Sequence, residues 1–130
     1  MGTDETVNVP RPSDLLRVWQ EPAGESVHVV VHVAGEVDLT TAPQVDDLLC
    51  GIEPRQAEPR CVILVLTGVT FLSSAGLSLL IKNDRRMRDA GGHLYVVTGN
   101  RLVNRTITRT GLAETLVLFD TLGDAVTAAP

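Results

Sequence analysis

Two adjacent serines, Ser73 and Ser74, lie within "VILVLTGVTFLSSAGLSLL" (residues 62–80), a stretch otherwise expected to be buried almost throughout. Hydroxyls placed where an apolar strand gives way to a helix suit three chemistries: a nucleophile, a phosphate acceptor or a helix cap. A nucleophile elbow reads G-x-S-x-G, and "LSSAG" supplies only its last half, with Leu72 where the first glycine must allow the strained turn. A hydrolase also needs a histidine, a carboxylate and an oxyanion hole, and the one histidine after the serines, His93, opens a strand-like run. No catalytic residue is therefore assigned. A cap needs a single serine and contributes about 1 kcal/mol. Ala75 and Gly76 follow, and two small residues in a first helical turn are expected to leave a shallow, backbone-exposed surface beside the hydroxyl. Such a surface admits another protein or a kinase active site.

The remaining reactive residues carry weaker signals. His28 and His32 share one face of "VHVVVHVA" at i, i+4 with no third ligand nearby, so they read as surface or half-buried histidines and no metal site is expected. Cys50 and Cys61 lack C-x-x-C spacing and read as reduced packing residues. There is no P-loop and no G-x-G-x-x-G, so no cofactor is expected. The net charge is −5 and the longest basic run is Arg85-Arg86, with Arg88 close by, which argues against direct nucleic-acid binding. No apolar run reaches the roughly 18–20 residues of a membrane span, and "MGTDETVNVPRP" has neither the basic nor the apolar region of a secretion leader. A cytoplasmic protein without membrane contact is expected.

These residues need a scaffold, and 130 residues provide one domain. Hydrophobic residues make up 44% but aromatics only 3%, so the core must be aliphatic. Residues 1–13 read as a flexible tail and 14–128 as the domain. "LLRVWQ" (15–20) and "VHVVVHVAG" (27–35) form a hairpin across "EPAGES". A helix follows in "TTAPQVDDLLCGI", with capping-box spacing between Thr41 and Gln44, Pro43 in its first turn and an end near Gly51. Beyond the polar connector "EPRQAEPR", "CVILVL" (61–66) is apolar on both faces, as a central strand should be. A helix from Ser74 to about Ala90 turns Leu77, Leu80, Ile81 and Met87 inward and "KNDRR" largely outward. Then come strand "HLYVV" (93–97), a helix capped by Asn100 and closed by Gly111, strand "LVLF" (116–119), and a short helix capped by Thr121 with Asp124. The order β-β-α-β-α-β-α-β-α implies an α/β domain: a mixed sheet of four or five strands with about four helices packed mainly on one side.

"VHVAGEVDLTTAPQVDDLL", "CVILVLTGVTFLSSAGLSLLI", "AGGHLYVVTGN" and "GLAETLVLFDTLGDAV" occur in this order, and the chain from about 15 to 127 resembles the STAS domain of bacterial anti-sigma factor antagonists. The resemblance implies a non-catalytic protein that binds an anti-sigma factor with serine kinase activity and so releases a sigma factor. It also implies inactivation when that kinase phosphorylates Ser74, with a phosphatase to reset the switch. It places the partner surface on Gly35, Glu36, Asp38, Thr40 and Thr41 and on Ser73, Ser74, Ala75, Gly76, Leu77 and Ser78. Ser73 and Val65 stand where the family commonly has aspartate, which removes acidic groups from around the acceptor and leaves a second function in view: a non-phosphorylated STAS adaptor in a larger signalling or lipid-transport assembly. Whether the N-terminal edge strand pairs with another copy is left open by the sequence.

Overall fold

The computed structural model describes residues 16–21, 28–52 and 61–129. The expected tail, the hairpin turn beyond Glu21 and the connector at 53–60 lie outside the described residues. The elements follow the expected order: β1 (Leu16–Gln20), β2 (His28–Val37), α1 (Ala42–Cys50), β3 (Cys61–Leu72), α2 (Ser74–Asp89), β4 (His93–Val97), α3 (Arg101–Arg109), a 3-10 turn (Leu112–Glu114), β5 (Val117–Phe119) and α4 (Leu122–Ala128).

One sheet runs β1-β2-β3-β4-β5, with β1 antiparallel to β2 and every later pair parallel. When parallel strands follow one another without reversing direction across the sheet, crossovers of one hand place all their helices on the same face. Accordingly α1, α2 and α3 share a face and cover the main core, built around Val29, Val31, Val33, Leu64, Leu80 and Ile107. Helix α4 closes no crossover and packs on the opposite face, where Ala125 meets Val30, Ile63, Val65 and Val97. The mixed five-stranded sheet with helices mainly on one side is the architecture expected from the pattern.

Strand β3 is twice as long as "CVILVL". Its twelve residues run alongside the ten of β2, and the difference is two bulges, one between the pairs His32↔Val65 and Ala34↔Gly68 and one between Gly35↔Val69 and Glu36↔Phe71. Each bulge inserts one extra residue and shifts the alternation by one. The core-facing residues of β3 therefore step by two through Val62, Leu64 and Leu66, then by three to Val69 and Leu72. Thr67, Gly68, Thr70 and Phe71 are exposed, so the stretch 62–80 is not buried throughout as expected. Asn100 holds the first bulge: its Nδ2 lies 3.3, 3.0 and 3.0 Å from the carbonyls of Leu66, Thr67 and Val69, while its Oδ1 accepts the Val103 N–H and caps α3.

Helices α1 and α2 are joined by polar groups that the apolar periodicity does not show. "KNDRR" was expected largely outward, and Lys82 and Arg85 are exposed, but Asn83 and Asp84 are buried and Arg86 is half-buried. Asn83 Nδ2 donates to Asp46 Oδ1 at 2.9 Å and to the Leu79 carbonyl at 2.8 Å. The Arg86 guanidinium donates to the carbonyls of Leu49 and Ile52, placing a cation at the C-terminus of α1 where the free carbonyls gather. Lys82 pairs with Asp46 at 2.7 Å. Burial alone would raise the Asp46 carboxyl, but hydrogen bonds from Lys82 and Asn83 and the Lys82 charge outweigh it and hold the group below its ordinary 3.8. Asp84 reaches Arg88 at 2.8 Å in an i, i+4 ion pair. Cys50 is exposed and so is not the packing residue expected. Cys61 is, and burial pushes its thiol up to about 12.

Candidate functional site

The β2–α1 turn and the β3–α2 junction meet at one end of the sheet. Val37 and Leu72 are register partners at the ends of their strands, and the Ser73 N–H donates to the Val37 carbonyl at 2.9 Å. The residues leading into α1 and the first residues of α2 are thereby side by side.

In the β2–α1 turn Asp38 organises the backbone. Its Oδ1 accepts the N–H groups of Thr40 and Thr41, both at 2.9 Å, and its carbonyl accepts the N–H of Ala42. The expected Thr41–Gln44 capping box does not form. Thr41 already has helical backbone angles, and its buried hydroxyl turns inward to donate to the Glu36 carbonyl at 2.6 Å and accept the Asp38 N–H at 2.9 Å. Asp38 thus takes over the role of satisfying free N–H groups at the helix start. Gly35 lies beside the second bulge with φ 110°, a left-handed conformation that favours glycine. The exposed tip of the turn carries Leu39, 82% exposed, and Thr40.

Hydrogen bonds from the backbone N–H of Thr41, and then from that of Thr40, outweigh desolvation and hold the Asp38 carboxyl below its ordinary 3.8. A carboxyl whose folded pKa is depressed stabilises the fold above its unfolded pKa, and that contribution is lost as pH falls through the folded value. Asp38→Asn keeps the Oδ1 acceptor but not the charge. The stability advantage of the wild type over Asp38→Asn, read from urea unfolding at each pH, should be constant from neutral pH down to about pH 5 and shrink below about pH 4.

At the β3–α2 junction the two serines divide their roles. Ser73 is the N-cap of α2: it is half-buried, its backbone is extended, and its hydroxyl accepts the Gly76 N–H at 3.4 Å. Ser74, the first helical residue, is exposed. Gly76 is buried, against the expectation that it would leave an open surface. A Cβ there would lie 2.6 Å from Leu72 Cδ1 and 2.9 Å from Val37 Cγ1, so the glycine lets α2 sit directly on the strand ends. Ala75 and Leu77 are half-buried against the main core, and Ser78 is exposed one turn beyond Ser74.

Of the residues expected at a partner surface, Thr40, Ser74 and Ser78 are therefore exposed. Gly35, Glu36, Asp38, Ser73, Ala75 and Leu77 are partly accessible, whereas Thr41 and Gly76 are buried and shape the site from beneath. Between α1 and α2 runs an open groove of about 450 Å³, lined by Leu39, Pro43, Ala75, Ser78 and Leu79, with the Asp46–Lys82 pair in its wall. Sequence reasoning missed Leu39 and the groove. The available signal was an apolar residue next to Asp38, whose side-chain turn leaves Leu39 no inward direction. Val65 belongs to the smaller core cluster under α4, on the sheet face opposite α2, so an acid at that position would not border Ser74. Among the described residues no three His, Cys, Asp or Glu side chains converge as a metal site, and no helix is long and apolar enough to cross a membrane.

In this α/β domain the exposed Leu39 and Ser78 line an open interhelical groove, and the exposed Thr40 and Ser74 lie next to Leu39 and one helical turn before Ser78. The chain belongs to the STAS domain family, whose model matches residues 21–125. It is 32% identical over 98 residues to the anti-sigma-F factor antagonist RsfB of Mycobacterium tuberculosis, covering 75% of this chain and 78% of that protein. Among solved structures it resembles an anti-sigma factor antagonist from Mycobacterium paratuberculosis, with TM-score 0.75, 31% identity and coverage of 88% of this chain and 93% of that one. The Bacillus cell fate determinant SpoIIAA in its phosphorylated form shares the fold at TM-score 0.63 and 17% identity, over 85% of this chain and 97% of that one.

Proposed function

We propose that the chain is an anti-sigma factor antagonist that binds an anti-sigma factor with serine kinase activity, releases the sigma factor, and is switched off by phosphorylation at Ser74. The binding domain spans residues 14–128. The relatives named as antagonists support the role, and the division of labour between the serines supports the switch. Ser73 is committed to the helix cap, while the exposed Ser74 hydroxyl stands at the rim of the surface. Leu39, Thr40, Ser74 and Ser78 form the contact, with the groove receiving an apolar side chain of the partner.

Phosphate at Ser74 adds about −1.5 to −2 charges at the N-terminus of a sixteen-residue helix whose first turn carries no acidic residue. The domain accommodates that charge, so inactivation must act across the interface, by bulk and by charge the partner cannot pair. The test is to titrate the purified chain into a complex of sigma factor with its anti-sigma kinase. Displacement of the sigma factor, and its loss on Leu39→Asp, is expected. Failure to bind any anti-sigma factor of the same genome would favour the adaptor role instead.

A further inference from the structure

The outer edge of β1 carries a row of side chains that matches itself. Arg17, Trp19 and Glu21 alternate along one face, and among the described residues no strand lies beyond them. Trp19 is 44% exposed and stacks on His32, its register partner on β2, with ring centroids 5.1 Å apart and planes within 10°. His32 Nε2 also holds Glu21 Oε1 at 2.6 Å, and the Arg17 guanidinium lies 5.7 Å from the Trp19 ring. The row is a cation, an aromatic ring and an anion, each held by a neighbour within the same chain.

The backbone has the parity to use it. The Glu21 N–H donates to the Val30 carbonyl, so by the antiparallel alternation the backbone groups of Glu21, Trp19 and Arg17 point toward β2. Those of Val18 and Gln20 point outward from the sheet edge, with no partner strand among the described residues. We infer that β1 pairs antiparallel with β1 of a second copy of this chain, about a two-fold axis through the Trp19 pair. Val18 and Gln20 then exchange hydrogen bonds with Gln20 and Val18 of the other copy. Trp19 faces its counterpart at a closely spaced, non-hydrogen-bonded position, and Arg17 faces Glu21 at the next such position on each side. A charge row of one sign would repel its own copy, as edge strands commonly do to avoid pairing, whereas this row meets opposite charge under the two-fold.

The axis is perpendicular to the sheet. Both helix layers therefore lie on one face of a ten-stranded sheet, and the two Ser74 ends point toward opposite edges. The dimer leaves both antagonist surfaces open and presents two of them together.

Charge reversal tests the register directly, by sedimentation velocity of the full chain over rising concentration. The wild type should dimerise, and Arg17→Glu and Glu21→Arg should each be monomeric, because each places like charges opposite one another. An equimolar mixture of the two should regain the dimer at least about tenfold more tightly than either alone, since every Glu then faces an Arg. Val18→Pro, which removes an outward N–H and leaves the β1–β2 ladder intact, should be monomeric with an unchanged far-ultraviolet circular dichroism spectrum. A monomeric wild type, a dimer that survives the reversals or Val18→Pro, or a mixture of folded variants that stays monomeric would overturn the proposal.

Discussion

Replacing Ser74 with glutamate is expected to weaken binding to the anti-sigma factor by about 100-fold or more while leaving the domain as stable as the wild type or slightly more so. The two halves of this expectation have separate physical origins. A carboxylate in the first turn of α2 faces free N–H groups and the positive end of the helix dipole, which contributes about 0.3–1 kcal/mol in its favour. At the interface the same charge is removed from water without a partner, a cost of about 2–5 kcal/mol. Ser74→Ala should keep both binding and stability, because the cap hydroxyl belongs to Ser73. Isothermal titration with the partner and thermal unfolding of the free chain separate the halves. Loss of binding accompanied by a large fall in melting temperature would mean that residue 74 acts through the fold and not through the interface.

The largest effect on stability is expected at Asn100. Its Oδ1 caps α3 and its amide nitrogen serves three carbonyls around the first bulge of β3, so one side chain closes two local deficits. Asn100→Ala removes a cap worth about 1 kcal/mol and strips carbonyls whose loss of a partner costs about 1–3 kcal/mol. A total of about 2–4 kcal/mol is expected, measurable by urea unfolding. Asn100→Ser keeps a cap but cannot span to the bulge, and should recover only the cap's share. Asn100→Asp presents an anion to the same carbonyls and should be at least as damaging at neutral pH, with partial relief as acid protonates it. If Asn100→Ser were as stable as the wild type, the bulge contacts would carry none of the effect.

Asn100 also shows how the fold was legible only in part. The cap could be read from "GNRLV", because a capping residue acts on N–H groups three residues away. The bulge contacts could not, because they join residues more than thirty apart and satisfy carbonyls freed by an irregularity. The second half of β3 escaped for the same reason: two bulges break the two-residue period on which a strand is recognised, and its core residues step by three. Thr41 was misread as a capping box because spacing alone does not reveal that its hydroxyl is taken by the Glu36 carbonyl. Asn83 and Arg86 look solvent-facing until α1 is in place to use them. The helix start at Ser73 and Ser74 was legible because a strand, a polar pair and small residues make a local pattern. Leu39 and the groove it borders arise only when two helix starts are brought together by the Val37–Ser73 contact.

The most direct measurement is to incubate the chain with its cognate anti-sigma kinase and ATP, locate any phosphate by mass spectrometry, and compare complex formation before and after. Phosphate on Ser74, absent from Ser74→Ala, with release of the kinase from the modified chain, is the predicted result. Phosphate on Ser73, or stable binding that persists with Ser74 fully phosphorylated, would contradict it.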